Sequence, residues 1–474
     1  MGTDMRGVDR GPAGDLSDGR LERAARAEEI ARTLRAQGIR GVVLSYVDTA
    51  GITRIKTVPV GRLSRTAVWG VGMSTVFDVF LSDDSMTATA DLGSPDGDLR
   101  LVPDLDRLVA LAAQPGWAWA PVDRFRQSGE EWPACQRGFA RAMATRAADA
   151  GLALEMAFEI EWALGRGDDP PGDFVPACTG PAYGMTRLVE LSDYARDVLG
   201  ALEDEGVEVE QLHPEYADGQ YEVSVAPAPP VAAADRSVLV RQTIRALSQR
   251  YGLRASFAPA VVAGHVGNGG HVHLSAWRDG RNVFAGGRGP FGMTPEGEAF
   301  AAGILAELPA LLAVGAPSVA SYLRLVPSHW AGVFACWGHE TREAALRFVT
   351  GNAGTEHRAA NLEVKCVDLA ANPYLLVGAL VAAGLHGVRA RLRLPEPVTG
   401  DPARFSPDEL AERGIARLPT SLDVAADAFA ASDVLREAMG DMLADAVLAV
   451  RRAEADRLRG ANDARVVDAL RWVY

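Results

Sequence analysis

Apolar residues recur at helical spacing in LERAARAEEIARTLRAQ, and the pattern predicts an amphipathic helix over 21–37. The next stretch, GVVLSYVDTAGITRIKTVPV, changes period. Two apolar strands flank Asp48-Thr49-Ala50-Gly51, a hairpin signature. Short β-like pieces with Pro and Gly turns continue through LRLVPDLDRLVALAAQPGWAWAPVD, so a small α+β unit is expected over 21–125. A helical connector over 132–150 leads to FEIEW, Phe158–Trp162. Successive strand side chains point to opposite faces, so Glu159 and Glu161 share one face and the bulky residues the other. A strand–turn–strand in EVEQLHPEYADGQYEVSVAP, a helix near 232–251, and the stretch SFAPAVVAGHVGNGGHVHLSAW follow. Apolar helices at about 295–314 and 373–391 precede a charged helical tail from 420. APAPPVAAA, 226–234, reads as a Pro/Ala connector, and no internal repeat is visible.

Composition narrows the class. The chain has 474 residues, 48% hydrophobic and 23% charged, enough for more than one domain and a sizeable core. Its formal net charge of -14 argues against nucleic acid as the main partner, because phosphate contacts need fields of Lys and Arg. The start, over 1–20, is polar and rich in Gly and Asp, with no apolar leader, and is expected to be a disordered tail. No uninterrupted apolar run approaches the roughly 20 residues of a membrane span. Cys135, Cys178, Cys336 and Cys366 are scattered, with no CxxC pair, as in a reduced cytoplasmic protein. Lys56 and Lys365 are the only lysines, a bias toward Arg that a coding-genome preference explains.

Charged residues within apolar stretches carry the candidate chemistry. Alone, Glu159 and Glu161 suit an exposed strand face; their apolar flanks favour burial, and buried carboxylates need a partner or a metal. Glu215 and Glu222 flank a Gly-containing turn that can aim both at one point or simply cap a solvated hairpin. In GNGGHVHLS, His271 and His273 alternate on one strand face beside glycines that let a ligand approach. An HxH pair alone serves structure or zinc equally well, but nearby carboxylates favour a hard cation, Mg²⁺ or Mn²⁺. Arg324, Arg342 and Arg347 lie in apolar company, where clamps for carboxylate or phosphate are favoured over surface charges. Glu363 and Lys365 share another strand face. Carboxylates, histidines and arginines together suit phosphoryl transfer.

These motifs, in this order, resemble the glutamine synthetase family over nearly the whole chain after residue 37. VDTAGITRIKTVP, LRLVPD and PGW are similar to its N-terminal landmarks; FEIEW, HPEYADGQYE, GNGGHVHLS, RLVP, REAALR, LEVK and DLAANPYLL are similar to its catalytic set. The resemblance implies an α+β fold. A β-grasp domain over 21–125 would precede a catalytic domain over 130–474, with a curved antiparallel sheet surrounded by helices. It implies two to three divalent cations per site. Glu161, Glu215 and Glu222 would hold the one near the amino acid; Glu159, His271 and Glu363 would hold the one bridging ATP phosphates. Arg324 and the backbone around Gly267 would take the α-carboxylate of glutamate. Arg342 and Arg347 would stabilise the transferring phosphate, with His273 and Ser275 beside the nucleotide. Family members form stacked rings whose sites are shared between neighbouring subunits. The implied reaction phosphorylates the side-chain carboxylate of glutamate with ATP, and a nitrogen nucleophile then displaces phosphate.

The departures redirect the nucleophile. Where the family carries an ammonium-holding Glu after RLVP, this chain has Trp330. Where it carries a second acid, GMSTVFDVF offers Ser74 or Asp78 according to the alignment. An indole offers ammonium no carboxylate but can pack on an alkyl chain or attract a larger cation. The reading is therefore a γ-glutamyl–amine ligase acting on a polyamine, ethanolamine or another monoamine. Trp330 packed at a subunit interface is the bland alternative. An ammonium-using synthetase with Asp78 or Asp83 as the acid, a non-catalytic relative, and an enzyme that activates a glutamate analogue are the others. Ala258-Pro259 and Val266 replace family residues near the substrate loop, though Asn268 sits inside it. Lys365 replaces an Arg, keeping charge but losing the bidentate fork. LRLPEPVTGDPARF lacks the regulatory tyrosine of the main bacterial enzymes.

Overall fold

The computed structural model describes residues 18–167 and 174–474. The expected tail thus lies mostly outside the described residues, and the first helix, Asp18–Ala36, already begins ahead of Leu21. The small unit is a sheet of β1 (Gly41–Val47), β2 (Thr53–Pro59), β3 (Val71–Ser74), β4 (Asp98–Pro103), β5 (Val109–Ala110) and β6 (Trp117–Arg126). Its order is β2-β1-β6-β4-β3, with β5 on β6. The β1–β2 hairpin is antiparallel, and β1 runs parallel to β6 at the centre. Ala27, Ala31 and Leu34 of the first helix pack under this sheet with Val42, Leu44 and Leu63.

The large unit holds β7 (Ala153–Arg166), β8 (Val209–Pro214), β9 (Gln220–Val225), β10 (Leu253–Ser256), β11 (Val272–Arg278), β12 (Arg281–Asn282), β13 (Phe334–His339), β14 (Ala344–Val349), β15 (Asn361–Val364) and β16 (Ala416–Arg417). The order is β16-β13-β14-β15-β11-β7-β9-β8, with β10 on β7 and β12 on β11. Every pair is antiparallel except β13–β14, which is parallel. The Pro/Ala connector is shorter than expected, because Pro230 opens the helix Pro230–Arg250 at its first turn, where a missing N–H costs nothing. Helices Pro295–Gly315 and Pro373–Ala390 are long and apolar enough by length and composition to cross a membrane. Here they bury that surface against each other, with Gly303 facing Gly387 so closely that a Cβ on either would collide with backbone. The tail continues as Leu422–Ala430, Asp433–Met439, Asp441–Arg457 and Asp463–Leu470.

The β1–β2 turn joins the two units. Asp48 and Thr49 are fully buried, and the Asp48 carboxylate accepts from Ile52 N (2.9 Å) and Arg54 Nε (2.7 Å). Asn372 Nδ2 donates to Val47 O and Asp48 O at 2.9 and 3.0 Å, while its Oδ1 caps the helix behind it through Tyr374 N. Arg451 donates to Thr49 O and Ala313 O, and the Tyr474 hydroxyl to Ala50 O. Gly51 adopts φ +87°, and a Cβ there would collide with Ala370 O. Gly51→Ala is therefore expected to lower stability by more than about 1 kcal/mol, from strain and collision together. Thermal unfolding checks this; an unchanged melting temperature would show that the clasp does not hold the units together.

Candidate active site

In β7, Phe158, Ile160 and Trp162 are 3%, 0% and 0% exposed and face the core. Glu159 and Glu161 take the opposite face, which looks into a cleft, with β11 and β9 as the paired neighbours of β7 in the sheet. Because β7 pairs with both, each carboxylate meets a different set of neighbours.

On the β11 side, Glu159 accepts from both histidines. His271 Nδ1 lies 2.7 Å and His273 Nε2 3.1 Å from its oxygens. Arg324 Nη2 donates to His271 Nε2 at 3.1 Å, so Nδ1 carries the ring proton. Burial first, and then the Lys365 ammonium, keep the His271 pKa low and the ring neutral. Burial also disfavours the charged form of His273, but Glu159 and Glu363 outweigh it and raise His273 to about 9. Glu363 stands cross-strand from His273 and Arg347, accepting from Lys365 Nζ (2.9 Å) and Arg347 Nη1 (3.0 Å). Burial would raise the Glu363 pKa, yet Lys365 and the two histidines hold it at about 2. Burial likewise opposes the charge on Glu159, and the histidine hydrogen bonds hold its pKa well below the usual range. Ligand atoms of Glu159, His273 and Glu363 lie within 4.8 Å of one another.

On the β9 side, Glu222 sits directly opposite Glu161 in register. Glu161 accepts from Gln220 Nε2 (2.9 Å) and Gly269 N (2.8 Å). Burial and then the Glu222 charge push its pKa up to about 8. Ligand atoms of His213, Glu215 and Glu222 lie within 4.8 Å of one another. His213 is raised to about 9 by its contact with Glu222. The Tyr183 hydroxyl donates to Glu215 at 2.7 Å and its ring lies 5.6 Å from that of His213. Arg187, 2% exposed, fixes this corner by donating to Glu215 O and Ala217 O. Sequence reasoning missed His213, Tyr183 and Gln220. His213 was within reach of it, since it stands two residues before Glu215 at the end of β8.

The glycine loop separates the two sets. A Cβ on Gly269 would stand 2.6 Å from Glu161 Oε1 and 2.8 Å from His271 Nε2, and one on Gly267 would collide with Pro259 O. Asn268 turns inward, donating to Ser256 O and Ala258 O and accepting from Gln220, so it shapes the loop, while Val266 lines the cleft. Arg324, 6% exposed, is braced by Val367 O and Lys365 O.

One cleft of about 780 Å³ gathers all of this. Glu159, Glu161, Glu215, Glu222, His271 and Glu363 border it, as do Gly267, Arg324, Arg342, Arg347, Trp330 and Lys365. His273 reaches it through Glu159, whereas Ser275 lies farther along β11, accepting from Trp277 Nε1 outside the lining. Arg342 is exposed, and Trp330 is half-exposed at the rim. Carboxylate oxygens with imidazole nitrogens are a donor set for a hard divalent cation, and the mutual repulsion of Glu161 and Glu222 is what such an ion relieves. Asp78 and Asp83 do not border this chain's own cleft. Asp78 is fully buried and accepts from Arg124 (2.6 Å) and Trp132 Nε1 (2.8 Å), a structural ion pair inside the fold. Ser74 instead accepts from Val76 N, and Asp83 caps its own turn through Ser85.

Residues 133–467 match the family model described as "Glutamine synthetase, catalytic domain", and 25–129 match "Glutamine synthetase N-terminal domain". The chain is 61% identical to the Gamma-glutamylpolyamine synthetase GlnA3 of Streptomyces coelicolor over 96% of its length and 98% of that protein. It is 29% identical to the glutamine synthetase of Methanocaldococcus jannaschii over 92% of its length and 95% of the relative. Among solved structures, a "novel glutamine synthase homolog" superposes with a TM-score of 0.82 at 34% identity, covering 92% of this chain and 99% of the other. A "GmaS/ADP complex" superposes at 0.78 with 28% identity, covering 91% and 96%. The chain belongs to the glutamine synthetase family.

Proposed function

We propose that this chain is an ATP-dependent ligase that joins the side-chain carboxylate of glutamate to an amine, a polyamine by preference, and releases ADP and phosphate. The carrying observation is Trp330, an indole at the rim of a cleft whose floor is crowded with carboxylates. Its face and those of Tyr183 and Tyr216 accept a methylene chain and an ammonium group, while the acidic floor attracts cations. The name of the Streptomyces relative supports the same reading.

In this reading a glutamate carboxylate oxygen attacks the γ-phosphorus of ATP and ADP leaves. The amine nitrogen then attacks the acyl carbon, loses a proton, and phosphate departs. Arg324, already fixed by two carbonyls, holds the α-carboxylate. Arg347, braced by Glu363 and Glu340, and Arg342 take charge developing on the transferred phosphate. Glu161, Glu215 and Glu222, with His213 beside them, would hold one divalent cation, Mg²⁺ or Mn²⁺; Glu159, His271 and Glu363, with His273, would hold another. Bound there, such ions neutralise phosphate charge and polarise the reacting oxygens. The small unit over 21–125 and the catalytic unit over 130–474 are read as two domains. Assembly into stacked rings accords with the family, and a cytoplasmic site with the four free, buried cysteines.

Two measurements test the proposal. Purified protein with ATP, Mg²⁺ and glutamate is expected to release phosphate faster with a polyamine than with ethanolamine, and least with ammonium. Ammonium as the best nucleophile would overturn the reading, and Trp330→Glu is expected to improve its use. Glu159→Ala and Glu161→Ala should each lower turnover more than about 100-fold, beyond the usual cost of removing a supporting contact, with the circular dichroism spectrum unchanged. Near-normal activity in either variant would refute the metal assignment.

A further inference from the structure

Trp330 does not reach the cleft rim by loop sterics alone. Its backbone lies in the left-handed region at φ +55°, two residues after Ser328 at φ +60°. For an L-residue with a bulky side chain this conformation is disfavoured, so neighbouring contacts must hold it. Three do so. Gly332, at φ +64°, sits so close to β14 that a Cβ would stand 2.8 Å from Ala345 Cα and 3.1 Å from Lys365 Cβ. The Ser328 hydroxyl donates to Asp401 at 2.7 Å. Glu343 Oε1 accepts the backbone N–H of Trp330 itself at 2.9 Å.

The third contact is the telling one. Glu343 is 8% exposed, immediately follows Arg342, and directly precedes β14, the strand that carries Arg347. Burial opposes the charge on its carboxylate, and the hydrogen bond from the loop amide is the strongest of the contacts that favour that charge. A hydrogen bond to a charged acceptor is stronger than a neutral one, and removing it leaves the amide to find another partner. A single turn thereby presents Arg342 to the cleft and anchors the indole loop from behind.

We infer that Glu343 is a positioning residue for amine selection, holding Trp330 in its left-handed conformation through the backbone N–H. This rests on the ligase reading above and adds a residue that does not touch the substrate. Its signature is a selective one, because its hydrogen bond runs to the loop amide of Trp330 and not to the side chains proposed to hold ATP and glutamate. Glu343→Ala is expected to raise KM for the preferred amine about tenfold, the cost of one charge-assisted hydrogen bond, and to leave KM for ATP and glutamate within about twofold. Glu343→Gln retains an acceptor oxygen and is expected to restore most of the amine KM. On a Trp330→Ala background, Glu343→Ala should add no further effect on amine KM. If Glu343→Ala does not fold, Glu343→Asp, whose shorter arm withdraws the oxygen, is expected to give the same selective rise.

The outcomes separate the claims. If ammonium alone supports turnover, the ligase reading falls and the role in amine choice falls with it. If an amine is used but Glu343→Ala matches the unaltered protein, only the positioning role is overturned. It is overturned equally if Glu343→Gln loses as much as Glu343→Ala, since the charge and not the hydrogen bond would then matter, or if the two substitutions add independently.

Discussion

A carboxylate withdrawn from water must be neutralised, hydrogen-bonded or protonated, and this constraint organises the whole cleft. The two sides of β7 meet it differently. Beside β11, Glu159 and Glu363 are matched by His273, Lys365 and Arg347, all within hydrogen-bonding distance. Beside β9, Glu161, Glu215 and Glu222 have His213 and, next to Glu161, Arg324 as nearby cations, and otherwise hydrogen-bond donors. The first set is close to balanced, and the second carries surplus negative charge. Burial, with the Glu222 and Glu215 charges added to it, raises Glu161 to about 8. The surplus marks the β9 side as the place where an added cation, metal or ammonium, brings the larger electrostatic gain.

Much of this was legible because strand period converts spacing into geometry. Glu159 with Glu161 and His271 with His273 are each two apart, so each pair had to share a face, and the apolar partners of FEIEW said which face was core. The arginines and Glu363 followed from their apolar settings. What was not legible depends on long-range placement. Tyr183 lies in a loop with no periodicity and reaches Glu215 only because Arg187 pins that loop to the β8–β9 turn. Gln220 and Asn268 look like ordinary polar residues, and their mutual hydrogen bond across 48 positions is invisible in one dimension. The setting of Asp78 was hidden for a related reason: nothing local announces that Arg124 and Trp132 will bury it.

One short segment couples the cleft to the rest of the molecule. Glu363 and Lys365 belong to the site. Three residues on, Asp368 and Leu369 lie against Gly270 so tightly that a Cβ there would stand 2.8 Å from Leu369 N. Ala370 O and Asn372 then receive the β1–β2 turn. LEVKCVDLAANPYL is thus a continuous mechanical link from site carboxylate to glycine loop to docked hairpin. Its string of small and buried residues reflects backbone approaching backbone on both sides, a demand that helix or strand propensity does not express.

The two ends of the cleft are built from different materials, and this bears on how one fold can serve different nucleophiles. The end proposed to take phosphate rests on β7, β11, β14 and β15, whose register fixes side chains through many backbone hydrogen bonds at once. The end proposed to take the amine rests on the loop at 326–332 and the loop carrying Tyr183, each held by a few side-chain contacts and by residues at positive φ. Changing a residue in the first set disturbs several partners together, whereas changing the second alters one or two contacts. A cleft so constructed keeps activation of glutamate fixed while the group that attacks it is free to vary.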